Sequence, residues 1–148
     1  MIDHLLKNGI IVTVNKEREI LYHGAIAIQG NKIVDIGDSD ALEKKYTDVA
    51  EVTDLDGKVV FPGFINTHNH LFQTLLKGLG DDMVLKDWLA TMTFPAATNL
   101  TREDCYLGAM LGCMEGLHSG ITTMVDYMYP HNRAGLCDGI IDAYKELG

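Results

Sequence analysis

The sequence predicts an α/β fold: a β-rich part over residues 1–60, in outline a small β-sandwich, then strands alternating with helices over residues 61–148. Three observations carry this prediction. Short apolar runs separated by turn residues fill the first sixty positions. After Pro62-Gly63, apolar runs alternate with longer stretches of helical periodicity, the order of a βα sheet. Between the two lies Phe61-Pro62-Gly63-Phe64-Ile65-Asn66-Thr67-His68-Asn69-His70, which reads as a turn, a buried strand and two histidines two apart at its C-terminal end.

In the first part, Ile10 to Val14 and Gly24 to Gln29 are strand runs, and Gly30-Asn31-Lys32 is a hairpin turn leading into Ile33 to Ile36. Asp38 to Tyr46 is a short helix, capped by Asp38 or Ser39. Val49 to Asp54, the turn Asp56-Gly57 and the run Lys58 to Val60 complete the set. In the second part, the first strand covers Gly63 to His70. Its Phe64-Ile65 makes it mostly apolar, as in a parallel sheet covered on both faces. A loop-and-helix region spans Leu71 to Met92.

Thr101 to His118 carries the strongest helical signal, with Thr101 as cap and Asp104 three residues on, a variant of the capping box. Leu107, Met110, Leu111, Met114 and Leu117 recur at helical spacing and are expected to face the core. Gly108, Gly112 and Gly116, four apart, imply close packing against a sheet. Ser119-Gly120 ends this helix. A second strand follows at Ile121 to Asp126, then a helix from Arg133 to Leu147, with Gly148 in the place of a C-terminal cap.

Composition sets the class. The chain of 148 residues is 47% hydrophobic and 22% charged, which is globular. No apolar run approaches the roughly 18 residues that span a bilayer. Asp3, His4, Lys7 and Asn8 interrupt any signal-peptide pattern. A dispersed net charge of −9 argues against nucleic acid and anionic membranes as partners. Cys105, Cys113 and Cys137 are an odd number without metal-finger spacing, and read as reduced residues buried on helices, which implies a cytoplasmic protein.

The His68-x-His70 pair carries the chemistry. A strand sets residues i and i+2 on one face, so two neutral imidazoles stand side by side, able to share a metal ion at about 2.0–2.1 Å per bond. On its own such a pair also fits a half-exposed strand end with two unrelated rings. The break at Pro62-Gly63 and the apolar strand before the pair favour the metal reading.

These residues resemble the metal-dependent amidohydrolase superfamily, in its branch of cytosine, guanine and adenosylhomocysteine deaminases and triazine hydrolases. The resemblance rests on Pro62 to His70. It continues through Leu76-Lys77-Gly78-Leu79-Gly80-Asp81-Asp82 and Lys86-Asp87-Trp88-Leu89, and resumes at Ser119-Gly120-Ile121-Thr122-Thr123-Met124-Val125-Asp126. It covers nearly all of the chain. One departure is Lys77, where many relatives carry Arg, and this leaves the subgroup open.

The resemblance implies an incomplete (β/α)8 TIM barrel, of which this chain holds the first two βα units, beside a sandwich built from both ends of the polypeptide. It implies that His68 and His70 bind one catalytic divalent metal, zinc first, with iron or manganese as alternatives. Two further His and an Asp would come from later strands. Such a metal brings the pKa of bound water from 15.7 toward about 7, and the hydroxide displaces an amino group from a nitrogen heterocycle: a purine, pyrimidine, pterin or triazine. The alternative in the same superfamily is a cyclic-amide hydrolase, and the segment from Lys77 to Trp88 favours the deaminase branch. The full-length enzyme is expected to be a homo-oligomer acting on a small heterocycle.

Other residues are assigned on the same basis. Gln73 and Trp88 belong to the segment that in this family folds over the active-site mouth, and both are candidate substrate contacts. Trp88 either stacks on a planar ring or joins the core beside Leu85 and Leu89. His118 precedes the second strand, at the opposite end from the chemistry. His131 follows it and either lines the pocket or lies in a solvated loop. His4 and His23 are structural or exposed. Asp126 either orients a neighbouring group or caps the following turn, and Asp81-Asp82 reads as a helix cap.

A barrel needs eight strands and about 250 residues, and this sequence ends after two βα units. The expectation is therefore the N-terminal portion of a longer enzyme. The isolated 148 residues, with two of about five ligands, are expected to bind metal weakly and turn nothing over, leaving an assembly module as the rival reading.

Overall fold

A computed structural model describes all 148 residues. The chain divides into two compact units, Met1–Pro62 and Gly63–Gly148.

The first unit contains β1 (Ile2–Val12), β2 (Ile20–Gln29), β3 (Lys32–Asp38), α1 (Ser39–Lys45), β4 (Val49–Asp54) and β5 (Val59–Val60). The strands form one sheet in the order β3-β2-β1-β4, with β5 also on β1. Over these residues the expected sandwich part is one sheet. The reason is the length of β1: its 11 residues pair antiparallel with β2 on one edge and take β4 and β5 in succession on the other. β1 starts at Ile2 rather than Ile10, because the register shifts around Gly9 break the alternation that sequence periodicity relies on. Ala25 and Ala27 keep the sheet surface low, so that Leu42 of α1 packs among Ile2, Leu5 and these alanines. Asp38 is the cap of α1, accepting a hydrogen bond from the Ala41 N–H at 3.1 Å.

The second unit opens with β6 (Phe64–Asn69) and a 3-10 turn (Leu71–Leu76). Helix α2 (Leu85–Trp88) runs through a π turn (Leu89–Thr93) into α3 (Phe94–Asn99). Then come α4 (Arg102–His118), β7 (Ile121–Asp126) and α5 (Leu136–Leu147). β6 and β7 are parallel neighbours. Phe64 and Ile65 are 59% and 66% exposed, against the expectation of a doubly covered strand. With β7 as its one partner, β6 has too little around it to cover both faces. α5 begins three residues later than expected because Gly135, at φ 85°, holds a left-handed conformation that no helix continues through.

The largest correction concerns α4. Its buried residues are Cys105, Gly108, Ala109, Cys113 and Gly116. Leu107, Leu111, Met114 and Leu117 are exposed, and Met110 is half-buried. Large apolar side chains and small residues occupy different sides of this helix, so periodicity does not choose a face, and close backbone approach does. A Cβ on Gly108 would sit 2.9 Å from the Leu71 carbonyl oxygen, and one on Gly116 2.9 Å from Met124 Cε. The glycine column therefore seats α4 on the 3-10 turn and on β7. The core beneath it joins Leu71, Phe72, Ala109, Leu136, Ile140 and Ala143. Cys105 and Cys113 are buried in α4 and Cys137 is half-buried in α5, all as free thiols. Burial pushes the Cys105 thiol up to about 11. No helix is long and apolar enough to cross a membrane.

The start of α4 has the reciprocal geometry the sequence implies. The Asp104 N–H donates to Thr101 Oγ1 at 3.2 Å, and the Thr101 N–H donates to Asp104 Oδ2 at 2.8 Å. Hydrogen bonds from the Thr101 hydroxyl and backbone hold the Asp104 carboxyl below the usual carboxylate range. A depressed folded pKa adds stability that is complete above the unfolded value of about 3.9 and fades as pH falls through the lower folded value. Thr101→Ala is expected to lower stability by about 1 kcal/mol near pH 7. The deficit should narrow in acid, which urea melts of both proteins at neutral pH and near pH 3 would measure.

Candidate metal and substrate cavity

The C-terminal end of β6 departs from regular pairing: the β6–β7 register shifts between Asn66 and Asn69. Two asparagines replace the missing ladder bonds. Asn66 Oδ1 accepts from the His68 N–H at 3.1 Å, and Asn69 Oδ1 from the His70 N–H at 2.9 Å. Directly after His70, Leu71 and Phe72 are fully buried. Asp126, ending β7, accepts the Leu71 N–H at 2.7 Å, which fixes the turn that follows the histidines. The bond reaches across to the segment after β6 and does not cap the turn that follows Asp126 itself. Burial pushes its carboxyl up, opposed by that N–H and by nearby His70.

His68 and His70 present their rings to each other, with Nε2 atoms 3.3 Å apart and ring planes nearly perpendicular at 89°. His70 Nδ1 lies 2.8 Å from the backbone carbonyl of Tyr127. A carbonyl only accepts, so the His70 ring donates from Nδ1, and in the neutral ring Nε2 is left as the acceptor that faces His68. This is the arrangement by which a ligating histidine is oriented from behind. The 3.3 Å separation fits one ion as well: two bonds of about 2.05 Å subtend it at an angle of about 107°, close to tetrahedral. The donor set is thus suited to a borderline metal. It is also incomplete, since no group of three or more His, Cys, Asp or Glu side chains is gathered anywhere in the chain.

Both histidines open onto a cavity of about 370 Å³ that is also lined by Gln73, Lys77, Asp81 and Trp88. The four candidate residues, His68, His70, Gln73 and Trp88, therefore share one space. Trp88 is half-buried, its indole lying against Gly80, where an added Cβ would fall 2.3 Å from Cδ1. His131 does not line this cavity; its Nδ1 faces Cys137 Sγ at 3.6 Å. His118 ends α4, at the opposite end of β7. His4 and His23 are exposed beside Glu51 and Asp40.

Two residues of the site went unread in the sequence. Tyr127 supplies the carbonyl behind His70, and its ring centroid is 5.8 Å from that of His68. Tyr129 stands edge-on to His70 and Phe72 at 5.3 and 4.8 Å. The available signal was a pair of aromatics two apart, directly after the strand that neighbours the histidines.

The amidohydrolase family model matches residues 59–148, which include β6, β7 and the whole cavity. The chain belongs to the amidohydrolase family. This amidohydrolase is 36% identical over 157 aligned positions to a 5'-deoxyadenosine deaminase of Methanosarcina barkeri, covering 99% of this chain and 35% of the relative. It is 37% identical to a 5-methylthioadenosine/S-adenosylhomocysteine deaminase of Bacillus cereus, covering 83% of this chain and 28% of the relative. Among solved structures it is similar to a zinc-bound adenosine deaminase from Xanthomonas campestris, with a TM-score of 0.85, 25% identity, and coverage of 98% of this chain and 32% of that one. Guanine deaminase of E. coli shares the fold, with a TM-score of 0.76 at 23% identity over 97% of this chain and 35% of that one. The chain thus spans about a third of the length of the relatives it matches. Its mixed α/β architecture is that of the amidohydrolase barrels.

Proposed function

We propose that the whole protein is a metal-dependent aminohydrolase that removes the amino group from a nitrogen heterocycle, with the adenine ring of a 5'-modified adenosine as first substrate class. The observation that carries this reading is the His68–His70 pair, with Nε2 atoms 3.3 Å apart and His70 Nδ1 2.8 Å from the Tyr127 carbonyl. The deaminase names of its relatives support the substrate class.

In this reading His68 and His70 hold one divalent ion, and zinc is the choice supported by the zinc-bound adenosine deaminase. When bound, such an ion supplies Lewis acidity and a nucleophile near neutral pH. The chain's own residues do the rest of the local work. The Tyr127 carbonyl keeps His70 in the ligating tautomer. Trp88 offers an indole to a planar ring, and Gln73 offers an amide to a ring substituent. The remaining ligands and proton-transfer groups belong to strands beyond these two βα units. The chain is then the opening of a truncated barrel, from a protein that works in the cytoplasm as a homo-oligomer.

The test is ammonia release by the whole zinc-loaded protein from 5'-deoxyadenosine, adenosine, guanine, cytosine and an aminotriazine. Ammonia from the adenine nucleosides is expected. Ring opening of a cyclic amide without ammonia from any of these would support the alternative hydrolase instead.

One observation favours a second reading for the 148 residues taken alone: no third metal-binding side chain joins the pair. Isolated, they are expected to bind zinc weakly and to release no ammonia, acting as an assembly unit. Zinc titration against a chromophoric chelator checks this, and turnover by the pure 148-residue chain would refute it.

A further inference from the structure

Gln73 lines the cavity, but a flexible amide at a cavity wall reads nothing unless something aims it. Its Nε2 donates to the Tyr129 hydroxyl at 2.5 Å. Tyr129 is itself held by edge-on contacts: its ring centroid is 4.8 Å from that of Phe72, which is fully buried, and 5.3 Å from that of His70. Gln73 comes from the 3-10 turn after β6, and Tyr129 from the segment after β7, 56 positions away. The pair therefore ties together the two segments that leave the histidine end of the sheet.

We propose that Tyr129 is a positioning residue that fixes one end of the Gln73 amide and so pre-aims the other end, Oε1, at a ligand in the cavity. This deepens the aminohydrolase reading and rests on it for the ligand class. A held amide loses little rotamer freedom when a ligand arrives, so its hydrogen bond contributes more of its strength to binding. Tyr129 does not touch the reacting atoms. Its effect runs through ligand binding rather than the chemical step.

Tyr129→Phe keeps the ring and its packing on Phe72 and His70, and removes only the hydroxyl. In the whole zinc-loaded protein it is expected to raise KM for 5'-deoxyadenosine about 10-fold with kcat within about 2-fold, the signature of binding lost equally from the ground state and the transition state. Gln73→Ala should do the same, and the double variant should be no worse than Gln73→Ala alone, because the two act as a unit. Zinc content should stay at the wild-type level in all three. An unchanged KM in Tyr129→Phe, or additive effects in the double variant, would overturn the proposal. A readout independent of turnover is the side-chain amide of Gln73 by 15N–1H NMR. It should be well dispersed in the ligand-free protein and collapse toward random-coil shifts in Tyr129→Phe; identical spectra would also overturn it. If the wild-type protein released no ammonia from any ring, the aminohydrolase reading would fall, and the amide spectra would still decide the role of Tyr129.

Discussion

Alanine at His70 is expected to empty the metal site and to lower ammonia release by the whole protein at least about 1,000-fold. Losing an outer partner of a ligating histidine already costs about 10–100-fold in metal affinity or activity, and here the ligand itself is removed. The same substitution at His68 should match it, because the two Nε2 atoms stand 3.3 Å apart and act as one chelating pair. Neither change should unfold the chain. His68 is exposed and His70 half-buried, whereas the adjacent anchors Leu71 and Phe72 are fully buried. A melting temperature near that of wild type, with zinc content below about one tenth of an equivalent, would separate metal loss from misfolding. His118→Ala serves as the control: at the far end of α4 it should leave zinc and rate unchanged. If His70→Ala kept both its zinc and its rate, the pair would not be the metal site and the proposed function would lose its main support.

How far the sequence could be read depended on how local the cause was. β4 and the cap of α1 follow from turn residues and a single Asp side chain, and both lie where expected. The Thr101 capping box is equally local, and both of its bonds form. The histidines could be set on one face from strand periodicity alone, and the structure adds the distance between their nitrogens. What could not be read depends on partners distant in sequence. The buried face of α4 is chosen by the backbone of Leu71, 37 positions from Gly108, and the periodicity of its large apolar residues does not encode that. The carbonyl behind His70 belongs to Tyr127, whose side-chain identity is irrelevant to the bond. The single sheet of the first unit depends on β4 and β5 sharing one edge of β1, a pairing choice rather than a propensity.

The same logic of close approach identifies Gly139 as the most sensitive position for stability. It lies on α5 where that helix crosses α4, and an added Cβ would fall 2.3 Å from the Arg102 carbonyl oxygen and 3.1 Å from the Tyr106 nitrogen. Both are backbone atoms, so no rotamer change relieves the clash and the helices must move apart. They are also clamped: Arg102 pairs with Asp142, and the Tyr106 hydroxyl donates to Glu146 at 2.7 Å. Leu136, Ile140 and Ala143 of α5 lose packing against the core when the helices separate. Alanine gains about 1 kcal/mol of helix propensity over glycine. Overpacking costs about 1–3 kcal/mol, and more where nothing can yield, so a net loss of about 2 kcal/mol is expected for Gly139→Ala and more for Gly139→Val. Gly112→Ala is the graded comparison. Its added Cβ would meet Leu71 Cδ2 at 2.7 Å and Thr74 Oγ1 at 2.8 Å, side-chain atoms that can rotate away. Urea melts should therefore rank Gly139→Val below Gly139→Ala, and both below Gly112→Ala. Wild-type stability in Gly139→Ala would show that α4 and α5 yield to each other, and that their contact is looser than the backbone approach requires.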